Sequence, residues 1–123
     1  MNVDILLRRL ANELPKFSYS YRSEKDLQDG IARVLDGASI PYEREHIASK
    51  EDRFDFFVDG GVVIEAKVDG TFPAAARQID RYLQLASVKG CAVVTTKRWE
   101  HRTMKTHLRG KPFVVVQVKR AAF

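Results

Sequence analysis

The stretch Phe54–Asp69, FDFFVDGGVVIEAKVD, is typical of two short strands joined by a tight turn. Apolar residues alternate with other residues on both sides of the turn, and side chains on a strand alternate between its two faces. Glycine adopts positive φ without steric cost, so Asp59-Gly60-Gly61 fits a hairpin turn. The pattern predicts a β-hairpin with one mixed face and one apolar face, the latter formed by Phe54, Phe56, Val58, Val62, Ile64, Ala66 and Val68.

Two carboxylates are expected to meet on the mixed face. A three-residue turn pairs Val58 with Val62, which sets Asp55 opposite Glu65 and leaves Lys67 on the same face. Facing carboxylates repel each other unless a cation lies between them, and Mg²⁺ commonly takes one or two carboxylates with water and phosphate oxygens. The hairpin therefore predicts a metal site for phosphate-ester chemistry. The alternative is a surface hairpin whose solvated face carries a Glu–Lys pair.

The composition indicates one folded domain. The 123 residues are enough for one modest core, and they contain no internal repeat or low-complexity stretch. No apolar run approaches the roughly 20 residues of a membrane span, and charges interrupt the apolar positions of the N-terminal stretch, unlike a secretory signal. Cys91 lies in an apolar run and is expected to be buried. We therefore expect a cytoplasmic protein with no membrane partner and no nucleotide cofactor.

The charge is distributed unevenly along the chain. There are 21 Lys+Arg and 16 Asp+Glu in total, and the segment 97–120 alone carries a net charge of +7. The first 96 residues are consequently near −2. A basic end beside an acidic centre suits a protein that binds a polyanion and a cation. The alternative is that the basic cluster is a solvated face.

The remaining elements follow from periodicity and end signals. Apolar residues at helical spacing predict helices over residues 2–14, 24–35, 71–89 and 99–108. Strands are predicted over residues 42–47, 91–96 and 113–118, and the run CAVVTT is typical of a strand covered on both faces. The tail after residue 118 is expected to fray. Together these elements predict an α/β fold, a mixed central β-sheet flanked by helices.

The hairpin carries a D…E-x-K pattern, with Asp55 on the first strand and Glu65-Ala66-Lys67 on the second. With the upstream helix EKDLQDGIARVL, this pattern resembles the catalytic core of the PD-(D/E)XK nuclease superfamily. Phe54 stands where that family usually has proline. The resemblance implies one nuclease domain over residues 1–123, in which an N-terminal helix and extended segment (1–22) precede a restriction-endonuclease-like core (23–118).

The resemblance also implies a metal-ion mechanism. Asp55, Glu65 and an acid on the first core helix, Glu24, would hold one or two Mg²⁺ or Mn²⁺ ions. The main-chain carbonyl of Ala66 would complete the metal shell. Lys67 would position or deprotonate water for in-line attack. The alternative for Glu24 is a first-turn acid that interacts favourably with the helix dipole.

A Q-x-x-x-Y spacing, formed by Gln78 and Tyr82 in QIDRY, follows the hairpin. It resembles an additional motif of the RecB-like branch of the superfamily, where the pair lies beside the metal site and would orient Lys67 or the scissile phosphate. The alternative for Tyr82 is a core position. Basic residues expected to bind the DNA backbone are Arg77, Arg81, Lys97, Arg98, Arg102, Lys105 and Arg109, although Arg81 could instead pair with Asp80 or water.

The implied function is a metal-dependent nuclease that hydrolyses phosphodiester bonds in DNA, in repair, recombination or phage DNA processing. One alternative is a non-catalytic DNA-binding module on the same fold, and another is a junction-resolvase-type endonuclease. A structural or regulatory protein with a coincidental motif is the third. A chain of this length has little room to embrace a duplex alone, so a homodimer is expected. The sequence leaves open DNA or RNA, endonuclease or exonuclease, and the substrate structure.

Overall fold

The computed structural model describes residues 2–99 and 105–121, with residues 105 and 106 described by their backbone only. Its helices are α1 (Val3–Glu13), α2 (Glu24–Gly37) and α3 (Phe72–Leu83). Its strands are β1 (Ser18–Tyr19), β2 (Tyr42–Ile47), β3 (Arg53–Val58), β4 (Val62–Lys67), β5 (Gly90–Thr95), β6 (Lys105–Leu108), β7 (Lys111–Gln117) and β8 (Lys119–Arg120). Among the described residues, no helix is long and apolar enough to cross a membrane.

Within the described residues, six strands form one mixed sheet in the order β2-β3-β4-β5-β7-β6. Strand β3 runs antiparallel to β2 and β4, whereas β4, β5 and β7 are parallel to one another. Strand β6 is antiparallel to β7, and β1 and β8 form a separate parallel pair. The predicted α/β class, a mixed sheet flanked by helices, is confirmed.

The sheet is buried on both faces. On one face, α1 and α2 pack through residues such as Leu10 and Ile31 against Ile64 of β4. On the other face, α3 packs through residues such as Ile79 against Val63 of the same strand. Strand β5 is buried along its whole length, as predicted for a strand covered on both faces, and it includes the fully buried Cys91.

The first two helices begin and end within two residues of their predicted boundaries, while the third is shorter than predicted. The side chain of Ser23 accepts a hydrogen bond from the backbone N–H of Asp26, which caps α2 as its sequence indicates. Helix α3 ends at Leu83, although the pattern predicts helix to residue 89. After Leu83 the chain turns back and enters β5 beside the turn of the β3–β4 hairpin. The Lys89 N–H donates to the Gly61 carbonyl at 2.7 Å there, and a helix that continued to residue 89 could not make this bond.

The predicted helix over residues 99–108 is wrong for the described residues 105–108, which form β6. Residues 100–104 lie outside the described residues. Arg109 and Gly110 have φ of +55° and +73°, and Leu108 pairs with Lys111 across them. Positive φ at both central residues is the geometry of a two-residue hairpin turn, and the antiparallel pairing that it permits overrides the local helical pattern.

The C-terminal segment is a strand where the sequence predicts a frayed tail. Residues Lys119 and Arg120 of β8 pair in parallel with Ser18 and Tyr19 of β1. The ring of Tyr19 packs against α2, and its hydroxyl donates to the Leu14 carbonyl at 2.6 Å. A buried aromatic residue therefore fixes the strand pair to the helical layer, a long-range contact that no local pattern reveals.

Candidate active site

Strand β3 changes face at Asp55. Phe56 packs in the core beneath α1 and α2, but Phe54 packs in the other core, with its ring centroid 4.8 Å from that of Tyr82. The prediction that both phenylalanines share one face is therefore wrong. The face change coincides with an irregularity on the neighbouring strand, where Glu45 has a φ of +55° between the paired residues Arg44↔Phe56 and His46↔Phe54. This left-handed residue interrupts the pleat beside Asp55.

Asp55 and Glu65 are joined by a reciprocal pair of hydrogen bonds. The backbone N–H of Asp55 donates to Glu65 Oε2 at 2.8 Å, and the backbone N–H of Ala66 donates to Asp55 Oδ2 at 2.8 Å. The predicted register is confirmed, since Val58 pairs with Val62. Beyond the last backbone pair, Phe56↔Ile64, hydrogen bonds from these side chains replace the backbone hydrogen bonds between the two strands. They fix the two carboxylates side by side, and each bond uses one oxygen and leaves the second oxygen to a ligand.

Burial makes the carboxylate pair electrostatically costly. Glu65 is only 3% exposed, and its burial together with the charge of Asp55 raises its pKa to about 8. Burial also raises the pKa of Asp55, and the charges of Glu24 and Glu45 add to this increase. The charge of Lys67 acts in the opposite direction on both carboxyls. Without a cation, the pair therefore retains a proton near neutral pH.

Lys67 and Ala66 occupy the end of β4. Ala66 is fully buried and lies opposite Val94 of β5. Lys67 is half-buried and lies opposite Thr95, at the carboxyl end of both strands. The predicted catalytic lysine thus lies next to the two carboxylates, near enough for its charge to lower their pKa values.

Glu24 begins α2 and is half-buried. Its charge raises the pKa of both Asp55 and Glu65, so it belongs to the same electrostatic environment. In the part of the chain that the structure describes, no three histidine, cysteine, aspartate or glutamate side chains are grouped to hold a metal ion. The predicted ligands Glu24, Asp55 and Glu65 therefore do not form a three-carboxylate cluster. Two carboxylates still fit Mg²⁺, which commonly keeps several water ligands.

The glutamine and tyrosine of the Q-x-x-x-Y spacing are hydrogen-bonded to each other. Gln78 Nε2 donates to the Tyr82 hydroxyl at 2.8 Å, and that hydroxyl donates to the Arg53 carbonyl at 3.4 Å. Burial raises the pKa of Tyr82 to about 12, and the charge of Glu65 contributes to the increase. Tyr82 is thus both a core residue, 2% exposed, and a protonated neighbour of the carboxylates.

The basic residues predicted to bind DNA fall into two groups. Arg81 donates to the buried Asp52 at 2.8 Å rather than to Asp80. Asp80 instead accepts two bonds from Arg109, at 2.9 and 3.3 Å. The other group consists of Arg77, Lys97 and Arg98, which are exposed and form no ion pair within the described residues. The two other predicted contacts, Arg102 and the side chain of Lys105, lie outside the described residues.

Glu45 is a residue near the site whose contribution the sequence does not reveal. It is exposed, and yet its charge raises the pKa of Asp55. The β2–β3 register places it opposite Asp55, between two paired positions. Residues 48–52 separate the strands, and their turn chemistry does not define that register, so the sequence lacked the signal that would have placed Glu45 here.

Comparisons of the chain with protein-family models, with curated proteins and with solved structures find no match. The chemistry available to the site follows from its geometry. The buried Glu65 and the half-buried Asp55 are fixed by backbone bonds beside the carboxyl end of β4, and they adjoin a lysine and a protonated tyrosine. Such a set can hold a hard divalent cation and offer hydrogen-bond donors to an anionic ligand of that cation.

Proposed function

We propose that this chain is a metal-dependent nuclease that hydrolyses phosphodiester bonds in DNA, built on a restriction-endonuclease-like core of the PD-(D/E)XK type. The observation that carries the proposal is the Asp55–Glu65 pair. Its reciprocal backbone bonds hold two repelling carboxylates together in a partly buried position, and burial raises both pKa values. A fold that keeps such a pair gains when a divalent cation offsets the repulsion.

The donor set fits Mg²⁺ or Mn²⁺. Asp55 and Glu65 supply hard oxygen ligands, the preference of both cations. Glu24 would act through its charge or through a water molecule, because it does not form a three-carboxylate group with them. When bound, the cation would lower the pKa of a water molecule and stabilise negative charge on the reacting phosphate.

The residues around the carboxylates have separate roles in this proposal. The Lys67 ammonium donates a hydrogen bond to the attacking water or to a phosphate oxygen, which positions them for in-line attack. Tyr82 keeps its proton at neutral pH and is held by Gln78, so it provides a fixed donor at the same site. Burial of Glu65 and Ala66 excludes bulk water from one side of the carboxylates, which strengthens each of these interactions.

A cleavage assay tests the proposal. Labelled single-stranded, duplex, nicked, flapped and four-way-junction DNAs, with an RNA strand of matching sequence, are incubated with Mg²⁺, Mn²⁺ or EDTA. The proteins are the wild type, Lys67→Ala, Asp55→Asn and the control Lys89→Ala, which removes an exposed charge just before β5. We expect metal-dependent cleavage by the wild type and the control, and a loss of at least about 100-fold in the two site variants.

Three outcomes would contradict the proposal. Cleavage in EDTA, or equal cleavage by Asp55→Asn, would show that the carboxylate pair is not the metal site. DNA binding without cleavage, unaffected by EDTA, would favour a non-catalytic DNA-binding module. Neither cleavage nor binding of any substrate would indicate a structural role in which the motif is coincidental.

A further inference from the structure

The parallel strands end in a row beside the carboxylates. Lys67 of β4 lies opposite Thr95 of β5, which lies opposite Gln117 of β7. The chain continues from β5 and β7 into exposed basic residues, so that one edge of the sheet carries a strip of positive charge leading away from Asp55 and Glu65. We call this set the basic strip: Lys97, Arg98, Lys119 and Arg120.

The first half of the strip is held in place. The backbone N–H of Lys97 donates to Thr95 Oγ1 at 3.0 Å. Two residues later, the buried Trp99 donates from its indole to the Gly70 carbonyl at 3.4 Å. Lys97 and Arg98 therefore project from a short loop that is fixed at both ends, which reduces the entropy lost when they bind a ligand.

The second half of the strip is held by strand pairing. Lys119 and Arg120 pair with β1, and the next residue, Ala121, donates from its N–H to the Tyr19 carbonyl at 2.8 Å. The Val118 N–H donates to the Thr95 carbonyl at 2.9 Å, which joins the two halves of the strip. The basic residues of β8 are thus fixed at the end of β7.

Arg120 ends the strip with a flat surface. Its guanidinium lies 4.9 Å from the ring centroid of Tyr21. A guanidinium stacked on an aromatic ring is planar and charged, so it can stack on the flat face of an unpaired base while it attracts phosphate. Bases in a duplex hide these faces from such a contact.

Three basic residues elsewhere in the described chain have protein partners. Arg81 and Arg109 are paired with Asp52 and Asp80. The ammonium of Lys111 donates to a backbone carbonyl at 2.9 Å. In the described part of the chain, by contrast, no acid forms an ion pair with Arg120. The exposed charge of the strip is therefore available to a polyanion.

We propose that the basic strip binds a single-stranded segment of DNA as it leaves the Asp55–Glu65 site, and that Arg120 on Tyr21 stacks against one of its bases. This inference rests on the proposed nuclease function and names its substrate class: DNA with an unpaired end or flap. The strip begins just after β5, and the end of β5 lies one strand spacing, roughly 5 Å, from the end of β4, so a single strand that leaves the carboxylates reaches the strip directly.

Binding in EDTA tests the inference without cleavage. Fluorescence anisotropy measures the Kd of a labelled single strand and of the blunt duplex of the same sequence, over a series of salt concentrations. We expect the wild type to prefer the single strand. Arg120→Ala should weaken single-strand binding at least about fivefold. The matched control is Arg8→Ala, which removes an exposed arginine from α1.

Two further variants separate charge from stacking. Arg120→Lys keeps the charge but lacks the planar group, so it should lower the affinity while leaving the salt dependence unchanged. The double variant Lys97→Gln/Arg98→Gln should reduce the slope of log K against log salt by about 1.4, since each lost phosphate contact on a single strand contributes about 0.7. Circular dichroism and thermal melting verify that every variant used for the comparison is folded.

The inference is overturned if the duplex binds as tightly as the single strand, or if both Arg120 variants bind like Arg8→Ala. Its failure is distinguishable from failure of the proposed function. Metal-dependent cleavage without single-strand preference would reject only the proposed role of the basic strip. Single-strand binding that depends on Arg120, without cleavage under any metal condition, would reject only the proposed nuclease activity.

Discussion

At the scale of single residues, two acids lie where burial and mutual repulsion disfavour their charged forms. Glu65 and Asp55 face each other in a site that excludes most water, and their backbone bonds compensate only part of that cost. The remaining repulsion can be relieved by a proton or by a cation. Protonation and metal binding should therefore compete at this pair, and both should be measurable without a substrate.

The first prediction is that the metal-free protein becomes less stable as pH rises. The pKa of Glu65 is about 8 in the folded protein and 4.5 as its ordinary value, so between these pH values the folded state binds a proton that the unfolded state has lost. The free energy of unfolding should then fall by up to about 1.4 kcal/mol per pH unit from this group. Urea unfolding in EDTA from pH 5 to 9 measures the slope.

Glu65→Gln should flatten this dependence, because the amide cannot titrate but can still accept the bond from the Asp55 N–H. The exposed Glu51→Gln is the matched control and should retain the slope of the wild type. An unchanged slope in Glu65→Gln would show that another group causes the pH dependence.

The second prediction concerns Tyr82→Phe. The ring contact with Phe54 at 4.8 Å remains, but the hydroxyl that accepts from Gln78 is lost. The free energy of unfolding should fall by about 1 kcal/mol, against about 3–5 kcal/mol for Tyr82→Ala. In the nuclease proposal, Tyr82→Phe should also reduce cleavage at least about tenfold. Full activity in a folded Tyr82→Phe protein would limit Tyr82 to a packing role.

At the scale of elements, the contact between α2 and the β1–β8 pair passes through a glycine. A Cβ atom on Gly30 would lie 2.6 Å from Cδ2 of Tyr19. Tyr19 cannot move away easily, because it is buried and its hydroxyl is bonded to the Leu14 carbonyl. The absence of a side chain at residue 30 therefore allows the strand pair to approach the helix.

The third prediction follows from that contact. Gly30→Ala should destabilise the protein by about 1–3 kcal/mol, even though alanine favours helix, because the new methyl group overpacks against Tyr19. Gly37→Ala in the same helix is the control, since its Cβ would have nothing within 4 Å. It should be neutral or stabilising by up to about 1 kcal/mol. Equal melting temperatures for the two variants would contradict the overpacking explanation.

At the scale of the whole molecule, the site lies between the two cores. The end of β4 is supported by α2 on one face and by α3 on the other, so cation binding should stabilise the fold rather than a single loop. The same edge of the sheet leads into the basic strip, which is fixed by the β1–β8 pair. The position of the site and the position of the basic strip therefore have one cause, the parallel arrangement of β4, β5 and β7.

The fourth prediction is a pH-dependent stabilisation by Mn²⁺. At a concentration 100 times its Kd, the cation should raise the free energy of unfolding by about 2.7 kcal/mol, and EDTA should reverse the effect. The apparent affinity should increase from pH 6 to pH 8, because the cation displaces a proton from the pair. Thermal melting measures both effects.

Asp55→Asn should abolish the stabilisation, whereas the exposed Asp69→Asn, just beyond β4, should retain it. A similar shift in both variants would show that Mn²⁺ binds elsewhere on the protein.

The elements that depend on neighbours along the chain are predictable from the amino-acid sequence. Alternation and turn glycines indicate the β3–β4 hairpin and its register, and therefore the facing of Asp55 and Glu65. The N-cap and helical spacing define α2, and an uninterrupted apolar run identifies the buried β5. In each case, a few consecutive residues contain the whole physical signal.

The features that depend on distant partners become visible only in the folded protein. Strand β6 forms because β7 is available for pairing, and β8 forms because β1 lies beside it. Phe54 packs in the opposite core from Phe56, beside the left-handed Glu45, and Arg81 pairs with Asp52 rather than with Asp80. These features depend on the relative free energies of contacts between residues far apart in the chain, and local propensities contain no information on such contacts.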